Sequence, residues 1–176
     1  MDFDWLRKHG SFPEDNSEAY AVVKRYKDNL ETNIESGKGL ILRGPAGTGK
    51  TSIAVSILKE VLALKRGCMM ISMPSLLDIM HTLSNGDRVA FLKYEQKLRN
   101  IPLLLLDDFG AEYSKSDWVH NKVESIIIDR YHDMKPVILT TNHNDAQTKD
   151  HYSERVIDRL RGKDYEEAIF FGESHR

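Results

Sequence analysis

Apolar residues recur along this chain in two alternating rhythms. From Ser17 to about Glu35, Ala19, Val22, Val23, Tyr26, Leu30 and Ile34 return every three or four residues, the spacing of a helix with one buried face. Ser36-Gly37-Lys38-Gly39 ends that pattern. Leu40-Ile41-Leu42 is a short continuous apolar run, which predicts a strand, and Lys50 to Arg66 follows as a helix with Ile53, Ile57, Leu58, Val61 and Leu64 inward. The rhythm repeats as strand Cys68 to Ser72, helix Pro74 to Leu83, a charged helical piece Arg88 to Arg99, and strand Leu103 to Leu106. Helix Asp117 to Met134, strand Val137 to Thr141, helix Thr148 to Arg161 and a last strand from Glu167 to Phe171 complete the prediction. Continuous apolar strands alternating with amphipathic helices predict an α/β domain whose parallel sheet is covered on both faces. Residues 1–16 mix Gly, Pro, Asp and Asn with isolated aromatics and read as an irregular leader, so the domain is expected over residues 17–176.

Polar residues collect where the apolar strands end. Gly44-Pro45-Ala46-Gly47-Thr48-Gly49-Lys50-Thr51, followed by Ser52, fits the phosphate-loop pattern and joins a predicted strand to a predicted helix. Its glycines let backbone amides curl around phosphates, the helix start aims its positive end at them, and Lys50 reaches the β and γ groups. Thr51 would offer its hydroxyl oxygen to Mg²⁺. Leu103-Leu104-Leu105-Leu106 delivers Asp107 and Asp108 to a strand end, where open α/β sheets bind ligands. Asp107 would support Mg²⁺ as a Walker B aspartate, and Asp108 would polarise the attacking water. Asn142, after Val137-Ile138-Leu139-Thr140-Thr141, would lie beside them and orient that water; taken alone it reads more readily as a turn residue.

Composition narrows the partners. A net charge of -2 over 176 residues gives no global attraction to nucleic acid, so any DNA contact must be a local patch. The single cysteine, Cys68, can form no internal disulfide and fits a reducing, cytoplasmic setting. No apolar run approaches the roughly 20 residues that span a bilayer, so no membrane partner is expected. The 7 histidines are scattered without ligand spacing, and no zinc site is expected.

The phosphate loop, Leu103-Leu104-Leu105-Leu106-Asp107-Asp108-Phe109-Gly110-Ala111-Glu112, Thr140-Thr141-Asn142 and Ser153-Glu154-Arg155-Val156-Ile157-Asp158-Arg159-Leu160 together resemble the AAA+ ATPases of the bacterial helicase-loader family, the DnaC and DnaI type, related to IstB. The resemblance covers about residues 20–176. It implies a three-layer P-loop NTPase fold with a five-stranded parallel sheet of order 5-1-4-3-2 and little or no lid. It further implies ATP and Mg²⁺ as ligands, hydrolysis to ADP and phosphate, a homo-oligomer when ATP is bound, single-stranded DNA, and a DnaB-type replicative helicase as partner. By residue, Asn142 matches sensor 1, Arg159 with Arg155 one turn earlier matches the arginine-finger segment, and Arg176 matches the sensor 2 arginine.

Asp108 stands where many such ATPases carry Glu, which shortens the base by one methylene and fits slow hydrolysis. Arg88, Lys93, Lys97 and Arg99, with Phe91 and Tyr94, sit where this clade has a helical insertion that contacts single-stranded DNA; a solvated amphipathic helix fits those residues as well. The family's loaders usually carry an N-terminal domain that grips the helicase, whereas the phosphate loop here begins at Gly44. The expectation from that is either an excised ATPase domain or a short relative working through another surface. A transposase-helper ATPase of the IstB type and an ATP-dependent binding switch with little turnover are the alternative functions. A small-molecule kinase would need an acceptor pocket and an arginine-bearing lid, and the sequence offers neither.

Overall fold

Five strands, Gly39–Arg43 (β1), Cys68–Ser72 (β2), Leu103–Asp107 (β3), Val137–Thr141 (β4) and Tyr165–Ile169 (β5), pair in parallel in the order β2-β3-β4-β1-β5. This is the expected order 5-1-4-3-2 read from the other edge. The computed structural model describes residues 16–111, 117–144, 146–148 and 152–172, the side chains of Asp117 and Val119 excepted. Residues 1–15 of the expected leader, with Phe3, Trp5 and Phe12, lie outside them, as does Arg176.

Helices Ser17–Asp28 (α1), Leu30–Ser36 (α2) and Lys50–Ala63 (α3) cover one face of the sheet. Their Val23, Tyr26, Ile34, Ile53 and Ile57 pack on Leu40, Leu42, Leu103, Leu105 and Ile138. Helices Met73–Asn85 (α4), Arg88–Asn100 (α5), Asp117–His132 (α6) and Glu154–Leu160 (α7) cover the other, against Ile41, Leu104, Leu106, Val137 and Leu139. Successive residues of a strand point to opposite faces, so a strand covered on both sides must be apolar throughout. Leu103 to Leu106 satisfy this at 0–1% exposure. Burying each such side chain contributes about 1.5–3 kcal/mol, enough for β3 to hold a carboxylate rigidly at its end.

Two helices differ from the periodicity. The single helix expected over residues 17–35 is divided at Asn29, which has φ -113° and ψ 23°. Side-chain amides bind carbonyls at the break: Asn29 Nδ2 donates to Arg25 O at 2.9 Å, alongside the Asn29 N–H at 3.3 Å, and Asn33 Nδ2 donates to Tyr26 O at 3.0 Å. The helix expected from Thr148 to Arg161 is interrupted at Ser153, which is extended at φ -62° and ψ 154°: Thr148 is helical, and a separate helix runs over Glu154–Leu160.

At the N-terminal edge of the sheet Arg130 has 0% exposure. Its guanidinium donates to the carbonyls of Leu98, Ile101 and Pro136, each at 2.8 Å, and to Arg99 and Pro102 at 3.3 and 3.4 Å. Burial lowers its pKa to about 10, still charged at neutral pH. One cation thus satisfies the open carbonyls at the end of α5 and fixes the entries to β3 and β4.

Candidate nucleotide site

The phosphate loop spans Gly44 to Gly49, between the end of β1 and the first turn of α3. A Cβ at Gly44 would stand 2.4 Å from Phe170 O, so only glycine lets the loop leave the sheet so close to β5. Gly47 and Gly49 turn the loop at φ 84° and 83°. Lys50 Nζ lies inside the turn and donates to the carbonyls of Gly44 and Pro45, both at 2.7 Å. Burial pulls its pKa below that of an ordinary lysine, with Asp108 and Asp107 opposing the shift. A desolvated cation beside exposed loop amides suits a phosphate chain.

Asp107 closes the site from β3. Its Oδ1 accepts from Thr51 Oγ1 at 2.9 Å and from Thr140 Oγ1 at 2.5 Å. The residue is 7% exposed, and the two hydroxyls offset part of the cost of burying its charge. Thr140 also accepts from the backbone N–H of Asp108 at 2.9 Å, so one hydroxyl holds both acids. Asp108 is exposed and takes a left-handed conformation, φ 55°, just past the end of β3. Thr51 and Asp107 present hard oxygen donors 2.9 Å apart, a set that fits Mg²⁺.

Asn142 is exposed at the tip of β4. The turn that carries it is anchored by Thr141, whose hydroxyl donates to Phe109 O at 2.6 Å and accepts from the His143 N–H at 3.1 Å. The tips of β1, β3 and β4 therefore bring Lys50, Thr51, Asp107, Asp108 and Asn142 to one end of the sheet. Ser52 is exposed on the first turn of α3.

Arg155 and Arg159 stand apart on α7. Arg155 is exposed; Arg159 is half-buried, donates to Arg155 O at 2.7 Å and lies 5.6 Å from the centre of the Tyr131 ring. Tyr131 donates to Asp164 Oδ2 at 2.9 Å, and that bond with the neighbouring carboxylate raises its pKa. In the basic segment of α5, Arg88, Lys93 and Lys97 are exposed, but Arg99 is committed to Glu95, Asp129 and Ser125. Burial would raise the Glu95 pKa, yet hydrogen bonds from Arg99 and Lys122 bring it below the usual carboxylate range. A cavity of about 220 Å³ beneath α7, walled by Ile41, Leu139, Ile157, Leu160 and Tyr165, opens on the sheet face opposite α3 and includes none of Lys50, Thr51 or Asp107.

Thr140 is the site residue that sequence reasoning missed. A threonine inside an apolar strand reads as an ordinary β-former. Its one available signal was position: parallel pairing puts the end of β4 beside Asp107.

Known proteins resemble this chain in sequence and fold. Replicative helicase loader DnaC of Escherichia coli strain K12 is 28% identical over 166 residues, 93% of this chain and 65% of the loader. Replicative helicase loader DnaI of Bacillus subtilis strain 168 is 31% identical over 139 residues, 76% of this chain and 43% of that protein. The chain thus spans less than two thirds of the length of either loader. A crystal structure of the DnaC helicase loader superimposes with a TM-score of 0.77 at 29% identity, over 94% of this chain and 95% of that one. The model of the family described as IstB-like ATP binding protein matches residues 22–160, most of the sheet and every strand-tip residue described above, and the chain belongs to that family.

Proposed function

We propose that this chain is an ATP-hydrolysing domain that loads or remodels a replicative helicase on single-stranded DNA. The observation that carries the hydrolysis reading is the convergence of Lys50, Thr51 and Asp107 at the tips of β1 and β3, locked by the Thr51–Asp107 hydrogen bond of 2.9 Å. Lys50 and the loop amides would bind the phosphates. Thr51 and Asp107 would hold Mg²⁺, which when bound neutralises phosphate charge. Asp108 would accept the proton of the attacking water and Asn142 would orient that water. Arg159, supplied to a neighbouring copy in an ATP-bound homo-oligomer, would stabilise charge on the γ-phosphate, with Arg155 as the alternative donor. Arg176 is proposed as the sensor 2 group.

Similarity to two helicase loaders supports the loading role. The IstB-like family description supports a second reading, a transposase-helper ATPase with the same site and another partner. Lys50→Ala tests the shared site: ATP affinity should fall about 100-fold or more with the fold intact, as expected when a charged partner of a buried phosphate is lost. Unchanged affinity in a titration would remove the site assignment. A pull-down with purified DnaB-type helicase, run beside an IS21-type transposase, separates the partners; retention of the transposase alone overturns the loading role.

A further inference from the structure

We propose that Arg43, the last residue of β1, is a positioning residue that sets the Asn142 turn against the phosphate loop. The inference rests on the hydrolysis reading, since it assigns a part in turnover to a residue outside the phosphate-loop and acidic motifs. Arg43 lies in register with Thr141 of β4 and Ile169 of β5. Alternation puts its side chain on the sheet face of Ile41, Leu139 and Thr141. From there Nε donates to Glu167 Oε1 at 2.6 Å, while Nη1 donates to the backbone carbonyl of His143. His143 follows Asn142, and its N–H is bound by the Thr141 hydroxyl at 3.1 Å.

Both backbone polar groups of the residue after Asn142 are therefore held, one from β4 and one from β1. The backbone of Arg43 is fixed as well: its carbonyl accepts from the Phe170 N–H at 2.7 Å, and the next amide, of Gly44, donates to Thr141 O at 3.1 Å. A guanidinium suits the task because its planar fork can bind Glu167 with one nitrogen and a carbonyl with another, in fixed mutual geometry. Its side chain is only 14% exposed, so the Glu167 pair is less screened than a surface pair. Arg43 thus ties the strand that ends in the phosphate loop to the turn that carries the water-orienting amide. Because a misplacement of about 1 Å costs on the order of 100-fold in rate, a loosened turn should lower turnover while the phosphate contacts stay intact.

The test is a double-mutant cycle. Arg43→Met keeps the aliphatic stem and removes the donors; kcat should fall about 10- to 100-fold with ATP affinity within about twofold. Arg43→Lys, which retains a donor for the His143 carbonyl, should recover part of the loss. In an Asn142→Ala background Arg43→Met should cost nothing further, because its effect runs through Asn142. A full additional loss there would mean a general structural role and overturn the proposal. Amide exchange at His143 reads the turn without turnover: it should quicken in Arg43→Met, and unchanged protection would equally overturn the proposal. ATP binding without hydrolysis by the parent chain would remove the hydrolysis reading alone, since the exchange comparison still reports on the turn. Should Arg43→Met fail to fold, Glu167→Gln, which removes the charge steering Nε, enters the same cycle under the same two criteria.

Discussion

The strand tips and helix α7 both carry polar side chains suited to ATP chemistry, but they hold them in opposite ways. At the tips Asp107 is 7% exposed and bound by Thr51 and Thr140, and the acid beside it is fixed through its backbone. On α7, Arg155 is exposed, and Arg159 rests on its own helix and on the Tyr131 ring. Preorganised groups stabilise a transition state without reorganising at the moment of reaction, whereas half-buried Arg159 would have to exchange its contacts with Arg155 O and Tyr131 to reach a partner. Under the proposed mechanism, the strand tips form a half-site within one chain, whereas the α7 arginines would act only when copies meet.

Breaking it on the α7 side should have the largest effect. Arg159→Ala should lower turnover by ~10³ to 10⁵, the usual worth of an arginine finger, and leave ATP binding close to normal. Parent turnover should depend on protein concentration. Arg159→Ala subunits keep an intact phosphate loop and Lys50→Ala subunits keep an intact finger, so a mixture should regain activity that neither has alone. An inactive mixture, with hetero-assembly verified by crosslinking, would sink the trans role and make Arg155 the next residue to exchange.

On the strand-tip side, Asp108→Asn should reduce turnover by about 10² to 10⁴ with ATP affinity unchanged. The substitution isolates chemistry from backbone, because Asp108 sits at φ 55° and asparagine is among the side chains best suited to that region. Hydrolysis at the parent rate would remove Asp108 as the base.

Thr140 sharpens the same side more gently. Thr140→Val keeps the shape and removes the hydroxyl that donates to Asp107 and accepts from the Asp108 N–H. Turnover should fall about tenfold, and stability by about 1–3 kcal/mol, the cost of leaving buried polar groups short of a partner. Thr140→Ser should keep both. A Thr140→Val chain equal to the parent in rate and melting temperature would show that Thr51 alone suffices to hold Asp107.

How far the sequence revealed this follows from how local each cause is. Leu103 to Leu106 could be read as a strand buried on both faces because burial imposes an unbroken apolar run, and the phosphate loop because each of its residues answers to a backbone constraint nearby. The break at Asn29 was hidden because Leu30 and Ile34 continue the inward periodicity of α1, while the interruption depends on the amides of Asn29 and Asn33. Arg130 was hidden for the opposite reason. A charged residue on a helix reads as surface, and its burial requires carbonyls from the end of α5 and the entries to β3 and β4. Thr140 needed the register of β4 on β3, which no local pattern contains.

The smallest effect concerns the basic segment of α5, and the structure divides residues that look equivalent in sequence. Lys93 and Lys97 are exposed, so they can meet phosphates without breaking an existing contact. Arg99 is bound to Glu95 and Asp129, and using it would leave the buried Glu95 with Lys122 as its remaining cation, at 3.2 Å. Each phosphate neutralised on a single strand contributes about -0.7 to the slope of log affinity against log salt. Replacing Lys93 and Lys97 by glutamine should therefore flatten that slope by about 1.4 and weaken binding moderately, with little change in stability. Arg99→Gln should leave the slope unchanged and lower the melting temperature, because its worth lies in the cluster with Glu95 and Asp129. Measuring both variants over a salt series separates the two roles. A slope that flattens with Arg99→Gln and not with the lysines would move the DNA contact to the α5–α6 seam, where Ser125 and Asp129 approach that arginine.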